Sequence, residues 1–390
     1  MHNNRRLPFL AAMGMVFLAG VAAQAAGLRI GHAEVNGATN LSAGVIGKIA
    51  ALRWFFTHAS VGGNIITGIN VLHAGDAARY PIQIYNYDGD NSDGAYHGAV
   101  PTAGSEGAAD YRADATPSVT SNGWVYECMR GNPDWSNKLT CFSNSVIQSG
   151  WRFPKINVAM DKMCWIDPYA DPAAYCAMMN NLEGQSPKTL FVYTTMPLTT
   201  ETAGSENDLR NTYNRFVRSY CASNNKCLLD VADIQAWTTQ GVEQVYGTTN
   251  QRMVSAYAVN AGGGDFHLNS TGRRRVALGW YALAGALFQT DRDADGGSDG
   301  DELLAGTAPA QSGDVLRVAC DPTPAPAGNE LVLRWTGATN RQYAVEQRES
   351  LTDPANWSCL ASNLPYRASG NSYTATAASA LGFYRLTARP

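Results

Sequence analysis

Ser60 stands where an aromatic-rich run meets a glycine-containing one. The run Leu52-Arg-Trp-Phe-Phe-Thr-His-Ala leads into it, Val-Gly-Gly-Asn follows it, and apolar residues then return every three or four positions. This pattern predicts a buried strand that turns sharply into a helix. A serine at that turn can present its hydroxyl beside the free N–H groups of a helix N-terminus, as a nucleophile requires. A simple helix N-cap is the alternative interpretation.

A second group of residues that could take part in catalysis lies late in the chain, in Gly262-Gly-Gly-Asp265-Phe-His267. We interpret this stretch as a flexible loop that leads into a helix beginning near Gly272. An aspartate close to a histidine can orient the imidazole, which then acts as a general base toward a serine. Ser60, His267 and Asp265 are therefore the candidate nucleophile, base and orienting acid.

Alternating strand and helix patterns are expected to position these residues. Apolar or β-rich runs predict five strands, at 52–57, 81–87, 155–160, 190–196 and 227–231. Apolar residues at helical spacing predict helices over 207–221 and 272–288. This alternation predicts an α/β fold of three layers, with a doubly wound, mainly parallel, five-stranded sheet. Ligands of such sheets bind at the carboxyl ends of the strands, where Ser60 would lie.

Over 52–289 the chain resembles the SGNH (GDSL-like) hydrolase superfamily, because a serine follows the first predicted strand and an Asp–His block precedes the last helix. The resemblance implies ester hydrolysis through an acyl-enzyme on Ser60, with His267 as base and the Ser60 amide in the oxyanion hole. The family's Gly-Asp-Ser is here His58-Ala-Ser60, and its acid normally precedes the histidine by three positions rather than two.

The residues that would complete an oxyanion hole or contact substrate are less evident. Candidates beside the serine are His58, Gly62, Gly63 and Asn64. Gly94 or Gly98 could supply the family's glycine. Asp161 occupies the position expected for the family's asparagine, so Lys162 or a backbone N–H is the expected donor there.

A different motif follows the α/β region. Residues 291–302 match the spacing D-x-D-x-D-G-x5-E, in which alternating oxygen ligands wrap a hard cation. The predicted ligands are Asp291, Asp293, Asp295, Asp299 and Glu302. The segment resembles the calcium loops of thrombospondin type 3 repeats, which implies a structural Ca²⁺. No cofactor is expected for catalysis. A solvated acidic linker is the alternative.

The ends of the chain predict export and an accessory module. Arg5 and Arg6 precede an apolar run that closes with Ala23-Gln-Ala25, the pattern of a signal peptide over 1–25. No later segment is expected to span a membrane, so the protein is expected to be secreted, periplasmic or at the cell surface. The predicted units are an α/β domain over 26–290, the calcium loop over 291–307, a proline-rich linker over 308–329 and a β-sandwich over 330–390.

Composition limits the classes of partner that the protein is expected to bind. The formal net charge of −4 and the pI near 5.9 make nucleic acid an unexpected partner. Eight cysteines in an exported chain favour disulfides, and nearest-neighbour pairing gives 128–141, 164–176, 221–227 and 320–359. The Gly-, Ser- and Asn-rich interval 88–151 is interpreted as a lid held by the first of these bridges.

Three functions remain open at this point. The first is a secreted esterase that acts on an ester substrate, with acyl or acetyl groups on carbohydrate suggested by the domain architecture. The second is a non-catalytic protein that binds glycan or another partner on the same fold. The third, ranked last, uses Asp161 and Asp167 as paired carboxylates for glycoside hydrolysis.

Overall fold

The computed structural model describes residues 27–86, 123–148, 150–320, 330–339, 341–348, 357–376 and 383–389. The predicted signal peptide and the candidates Gly94 and Gly98 lie outside these residues. In the described part of the chain, no helix is long and apolar enough to cross a membrane.

A parallel sheet forms the centre of the α/β region. Its strands are β1 (Arg29–Ile30), β2 (Arg53–His58), β3 (Gln83–Asn86), β4 (Trp124–Met129), β5 (Val158–Asp161), β6 (Leu190–Thr194) and β7 (Cys227–Leu229). They are ordered β1-β7-β6-β5-β2-β4-β3, and every adjacent pair is parallel. The α/β fold class is confirmed, with seven strands in the described sheet instead of the five that the sequence predicts.

Helices cover both faces of this sheet. They are α1 (Ala43–Ile49), α2 (Val61–Gly75), α3 (Trp135–Gln148), α4 (Pro172–Gln185), α5 (Asn207–Ser223), α6 (Val231–Ala236), α7 (Ser270–Ala286) and α8 (Asp299–Ala305). Trp54 and Phe56 of β2 pack into one core with α2 and α7, and Phe55 packs into a second core with α3, α4 and α5. Because the side chains of a strand alternate, β2 requires apolar residues on both faces.

The interval interpreted as a lid contributes core elements instead. Its described part holds β4, which pairs with β2, and α3, whose Phe142 is fully buried. The turn-forming composition of the preceding residues concealed these elements, because Trp-Val-Tyr-Glu-Cys-Met is a short strand-like run after a long polar stretch. Residues 88–122 lie outside the described part of the chain.

The predicted disulfides are corrected by the structure. Cys164, Cys176, Cys221, Cys227 and Cys359 carry free thiols, and no 128–141 bridge is formed between β4 and α3. Cys221 belongs to the core on one face of the sheet and Cys227 to the core on the other, so the sheet separates these sequence neighbours. The side chain of Cys320 lies outside the described residues.

Two short antiparallel pairings and a C-terminal module complete the elements. A hairpin joins β10 (Ala258–Asn260) to β11 (Asp265–Leu268), and β8 (Val245–Tyr246) pairs with β9 (Asn250–Gln251). The C-terminal module holds β12 (Val318–Cys320), β13 (Glu330–Trp335), β14 (Gln342–Arg348), β15 (Ser358–Pro365), β16 (Asn371–Thr376) and β17 (Phe383–Arg389).

The C-terminal strands form two three-stranded antiparallel sheets, β12-β13-β16 and β15-β14-β17. Trp335 of the first sheet and Tyr343 of the second lie in one core, with their ring centroids 5.7 Å apart. The strand β12 lies inside the segment interpreted as a proline-rich linker.

Candidate active site

Ser60 lies at the turn between β2 and α2, at the carboxyl edge of the sheet. Its backbone adopts φ 53° and ψ −111°, a conformation that is costly for a residue with a Cβ and that concentrates at functional sites. Ser60 occupies the N-cap position of α2, all of which is described, yet its side chain makes no capping hydrogen bond. Its hydroxyl instead lies 2.6 Å from Nε2 of His267.

Gly62 allows this turn to close. A Cβ at this position would lie 2.3 Å from the Cβ of His58, well inside van der Waals contact. The first turn of α2 therefore packs directly on the last residue of β2. The N–H of Gly62 donates to the carbonyl of Ala59 (2.9 Å), so Gly62 serves the turn rather than offering the oxyanion donor expected from the sequence.

His267 lies on the strand β11, and the segment interpreted as a flexible loop is the β10–β11 hairpin. Phe266 and Leu268 are buried, while Asp265 and His267 face outward. This alternation explains the separation of two residues, because positions i and i+2 of a strand share one face. The Oδ1 of Asp265 lies 2.6 Å from Nδ1 of His267 and also accepts the backbone N–H of His267.

These contacts assign the proton positions. Hydrogen bonds from the amide and the ring of His267 lower the pKa of the Asp265 carboxyl, which favours the carboxylate. A carboxylate only accepts, so Nδ1 of His267 carries a proton. Nε2 is then the acceptor of the Ser60 hydroxyl in the neutral ring. The structure thus brings Ser60, His267 and Asp265 into one continuous hydrogen-bonded chain.

Asn64 connects the two elements that carry this chain. Its Oδ1 accepts the backbone N–H of Leu268 at 2.7 Å, and its own N–H reaches the carbonyl of Ser60 at 3.3 Å. The residue was expected among the oxyanion or substrate contacts; the structure places its carbonyl oxygen against β11. Gly63, beside it, is half-buried, and its carbonyl accepts the hydroxyl of Thr67.

His58 forms part of a buried wall. Its side chain is fully buried, and its Nε2 pairs with the carboxylate of Glu127 on β4. Its ring also stacks on Phe56, with the centroids 4.8 Å apart. The sequence predicts that His58 could direct a donor into the site, whereas in the structure its Nε2–H donates to the Glu127 carboxylate.

The loop after β5 completes the described surroundings of Ser60. Burial would raise the pKa of the Cys164 thiol, but the nearby Lys162 ammonium, the Ile166 amide and the Ser60 hydroxyl together lower it. The Trp165 ring meets the His267 ring edge-on, with centroids 6.4 Å apart. Sequence reasoning missed both residues, because no motif marks them and only the fold brings this loop to Ser60.

Lys162 was expected to act as an oxyanion donor. It is 1% exposed, and its Nζ donates to the carbonyl of Met163 (2.9 Å). Burial lowers the pKa of this lysine to about 8. Among the described residues it forms no ion pair with a carboxylate.

Asp161 and Asp167 are held in separate buried ion pairs. Asp161 accepts from Arg130 (2.8 Å) and from the Thr57 hydroxyl (2.6 Å). Asp167 accepts from the Lys138 ammonium at 2.7 and 2.6 Å, and its Oδ2 also accepts the backbone N–H of Cys164 at 2.8 Å. Carboxylates engaged in this way are poorly placed to transfer protons to a substrate, so the structure does not favour the glycosidase hypothesis.

The Asp-rich loop lies elsewhere, between α7 and α8. Asp291, Asp293 and Asp295 each offer an oxygen, and these oxygens lie within 4.8 Å of one another. Burial raises the pKa of the Glu302 carboxyl to about 9, with repulsion from the neighbouring aspartates as the further cause. An oxygen-only set of this kind fits Ca²⁺. Asp299 does not belong to it, because the backbone N–H and guanidinium of Arg292 engage its carboxylate.

The described geometry defines an α/β protein with a Ser–His–Asp arrangement at the carboxyl edge of a parallel sheet. No protein-family model matches the chain, and no curated protein matches it. Among solved structures, it is similar to a GDSL-like lipase from Bacteroides thetaiotaomicron. The two are 10% identical with a TM-score of 0.35, and the alignment covers 65% of this chain and 97% of the other. At these values the similarity carries no argument about activity.

Proposed function

We propose that this chain is a serine hydrolase that cleaves carboxylic esters through an acyl-enzyme on Ser60. The observation that carries the proposal is the 2.6 Å contact between the Ser60 hydroxyl and Nε2 of His267, with Asp265 on the opposite ring nitrogen. Nucleophile, base and orienting acid in hydrogen-bond contact are the arrangement on which acyl transfer depends.

The reaction follows from the proton positions. As the Ser60 oxygen attacks the ester carbonyl, Nε2 of His267 takes the hydroxyl proton and a tetrahedral oxyanion forms. The intermediate collapses when His267 returns that proton to the alcohol oxygen, whose bond to carbon breaks. Water then attacks the acyl-serine, with His267 again as base. The bond between the acyl carbon and the Ser60 oxygen breaks, His267 returns the proton to that oxygen, and the carboxylic acid leaves. Asp265 stabilises the imidazolium in both halves of the reaction.

The oxyanion is assigned to backbone donors. The helix α2 begins directly after Ser60, and the N-terminal end of its dipole favours negative charge at that point. We assign the Ser60 amide as one donor. The side chains that the sequence suggests as donors have other partners. The Oδ1 of Asn64 accepts from the Leu268 N–H, and the Nζ of Lys162 donates to the Met163 carbonyl, which supports a backbone donor.

The substrate class is an ester whose acyl acceptor is large and polar, with acetylated or otherwise acylated carbohydrate as our specific proposal. In the described part of the chain, the side chains of Asp265 and His267 are 44% and 40% exposed to solvent. A reacting centre this open accommodates a bulky substrate. Tyr169, on the loop after β5, is 72% exposed and offers an aromatic surface to a sugar ring.

Export is part of the proposal. An acylated glycan outside the cell fits the signal-peptide pattern over 1–25 and the acidic net charge. The C-terminal β module is proposed to serve attachment or glycan binding, because its strands carry none of the residues of the Ser60 site.

The proposal is tested by labelling the full chain with a fluorophosphonate and by following the hydrolysis of p-nitrophenyl acetate and of an acetylated oligosaccharide. We expect labelling and turnover in the wild type and their loss in Ser60→Ala and His267→Ala. The matched control is Ser223→Ala, which removes an exposed hydroxyl at the end of α5 and leaves both signals intact.

The alternative, a non-catalytic binding protein, gives a different result. It predicts no labelling and no turnover in the wild type, together with glycan binding that Ser60→Ala leaves unchanged. That outcome would overturn the hydrolase proposal.

A further inference from the structure

The Asp-rich loop contains a buried carboxylate that has no partner among the described residues. Glu302 is 2% exposed, and neither of its two side-chain oxygens accepts a hydrogen bond there. Both carboxylate oxygens of Asp293 are likewise buried and accept no hydrogen bond from the described residues. A buried charged group without a partner is costly, and a cation bound to these oxygens would offset that cost.

Glu302 is directed toward the aspartates of the loop. A Cβ added at Gly297 would lie 3.1 Å from Cγ of Glu302 and 3.2 Å from Oδ1 of Asp295, so the two side chains approach the same point. The loop reaches that geometry through Gly296, whose φ of 96° permits the sharp turn. Three aspartate oxygens within 4.8 Å of one another, with the Glu302 side chain approaching Asp295 beside them, describe a site for a hard divalent cation with oxygen ligands.

The helix α8, which carries Glu302, is packed on the α/β domain. Leu303 and Leu304 belong to the core that contains α2 and α7. Asn157, which precedes β5, donates from Nδ2 to the carbonyl of Leu303 at 2.8 Å. Gly300 lies so close to Phe288 that a Cβ there would sit 2.4 Å from the ring.

The C-terminal β module contacts the same helix. Arg341, immediately before β14, is 3% exposed and donates from Nε to the carbonyl of Leu304 at 2.6 Å. Its Nη2 donates to the carbonyl of Leu303 at 3.3 Å, and its guanidinium lies 4.8 Å from the centre of the Phe153 ring. A cation at the carbonyl end of a helix also interacts favourably with the helix dipole.

We propose that a divalent cation, Ca²⁺ by its ligand chemistry, is bound by Asp291, Asp293, Asp295 and Glu302 and fixes α8 as the joint between the two domains. Without the cation, the crowded carboxylates of the loop have no counter-charge, and α8, whose carbonyls accept from Arg341, is held less firmly. With the cation, Glu302 is drawn to the loop, and the carbonyls of Leu303 and Leu304 are held where the β module docks.

This joint lies at the opposite end of the sheet from Ser60. Asn157 also accepts the backbone N–H of Arg53, the first residue of β2, whereas Ser60 follows the last residue of that strand. Six residues of strand separate the two ends by about 20 Å. Cation binding therefore orders the β module and leaves the Ser60 site unchanged.

The test uses the full chain stripped with a chelator, then titrated with Ca²⁺ by calorimetry and examined by hydrogen exchange with and without Ca²⁺. We expect one bound ion, with amide exchange slowed at least tenfold over 299–306 and over 342–348. Glu302→Gln should bind Ca²⁺ at least tenfold more weakly and lose both protections. Asp301→Asn, the control, alters an exposed carboxylate on the same helix that pairs with Lys48 and should behave as wild type.

Arg341→Ala distinguishes cation binding at Glu302 from the effect of that binding on the β module. This variant should bind Ca²⁺ with wild-type affinity and protect 299–306, but lose the added protection of 342–348. Absence of Ca²⁺ binding, or undiminished binding by Glu302→Gln, would overturn the site. Binding without any change over 342–348 in the wild type would overturn the coupling. Fluorophosphonate labelling of Ser60 should be equal with and without Ca²⁺, and this readout keeps the result separate from the hydrolase proposal.

Discussion

Asn64 and Leu268 are joined by a hydrogen bond of 2.7 Å that ties the helix after Ser60 to the strand that carries His267. Ser60 and His267 are 207 residues apart in sequence, and their contact depends on the relative position of α2 and β11. Catalysis by proton transfer requires that position to hold within a fraction of an ångström. Asn64 is therefore a positioning residue for the proposed reaction.

Replacement of Asn64 by alanine should lower kcat about 10-fold or more and leave KM within about twofold, because the change misaligns Ser60 and His267 without removing a substrate contact. The buried Leu268 N–H would also lose its acceptor, at a cost of about 1–3 kcal/mol in the free energy of unfolding. Steady-state kinetics with p-nitrophenyl acetate and urea denaturation measure the two effects.

Asn64→Asp is the matched variant, since it keeps an acceptor oxygen at the same position. It should recover most of the kcat that the alanine variant loses. Equal loss of kcat in both variants would contradict the positioning role, and so would a loss confined to KM.

Asp265→Asn should lower kcat/KM by about 10²- to 10⁴-fold while the protein stays folded, because the amide favours the wrong tautomer of His267. The side chain is well exposed, so we expect no change in the midpoint of thermal unfolding. Measurement of kcat/KM beside a melting curve separates the two. Wild-type activity in this variant would show that another group orients His267.

The acid limb of the pH–rate profile should contain no ionisation of Asp265 above pH 4. Hydrogen bonds from His267 lower the pKa of Asp265 from 3.8, so the carboxylate is retained above that value and lost only as the pH falls through the lower folded-state pKa. A plot of log(kcat/KM) against pH should therefore have a limiting slope no steeper than 1 above pH 4; a slope of 2 there would contradict a carboxylate at Asp265.

The sequence was sufficient to predict the strands and residues whose signals are local. Each of the five predicted strands is present, and Ser60, Asp265 and His267 lie together as expected. Asp265 precedes His267 by two positions, whereas the SGNH pattern has three. A strand places positions i and i+2 on one face, and no local pattern in the sequence marks 265–268 as a strand.

The helper residues could not be predicted, because their partners are distant in sequence. His58 meets Glu127 only when β2 and β4 are adjacent, and that pairing was concealed in an interval interpreted as a lid. Cys221 and Cys227 are neighbours in sequence, yet opposite faces of the sheet separate them. Contacts of this kind are set by strand order, which a single sequence does not specify.

Gly62→Ala should impair both stability and activity. The added Cβ would lie 2.3 Å from the Cβ of His58, so the first turn of α2 must move, and Ser60 moves with it. We expect a loss of about 1–3 kcal/mol in the free energy of unfolding and reduced fluorophosphonate labelling.

Gly63→Ala is the control for this substitution. Among the described residues its Cβ would meet only the Cε of Met129, at an ordinary 3.5 Å, and alanine is the better helix former by about 0.5–1 kcal/mol. The variant should unfold at equal or higher urea concentration and keep its labelling rate. Identical behaviour of the two variants would contradict the packing role of Gly62.

Lys162→Met should stabilise the protein at pH 7. The lysine is fully buried, and burial lowers its pKa from 10.5 to about 8, so its charged form is unfavourable inside the fold. The substitution removes that cost, on the order of 1–3 kcal/mol, while it fills a similar volume. Urea denaturation at pH 7 measures the gain.

The gain should shrink as the pH rises from about 8 to about 10.5. Over that interval the unfolded wild type still binds the Lys162 proton and the folded wild type does not, so wild-type stability increases with pH relative to the methionine variant. Lys138→Met provides the contrast, because Lys138 pairs with Asp167 and its loss leaves a buried carboxylate unpaired. That variant should be destabilised by about 3–5 kcal/mol. Destabilisation of similar size in both variants would show that Lys162, too, neutralises a buried charge.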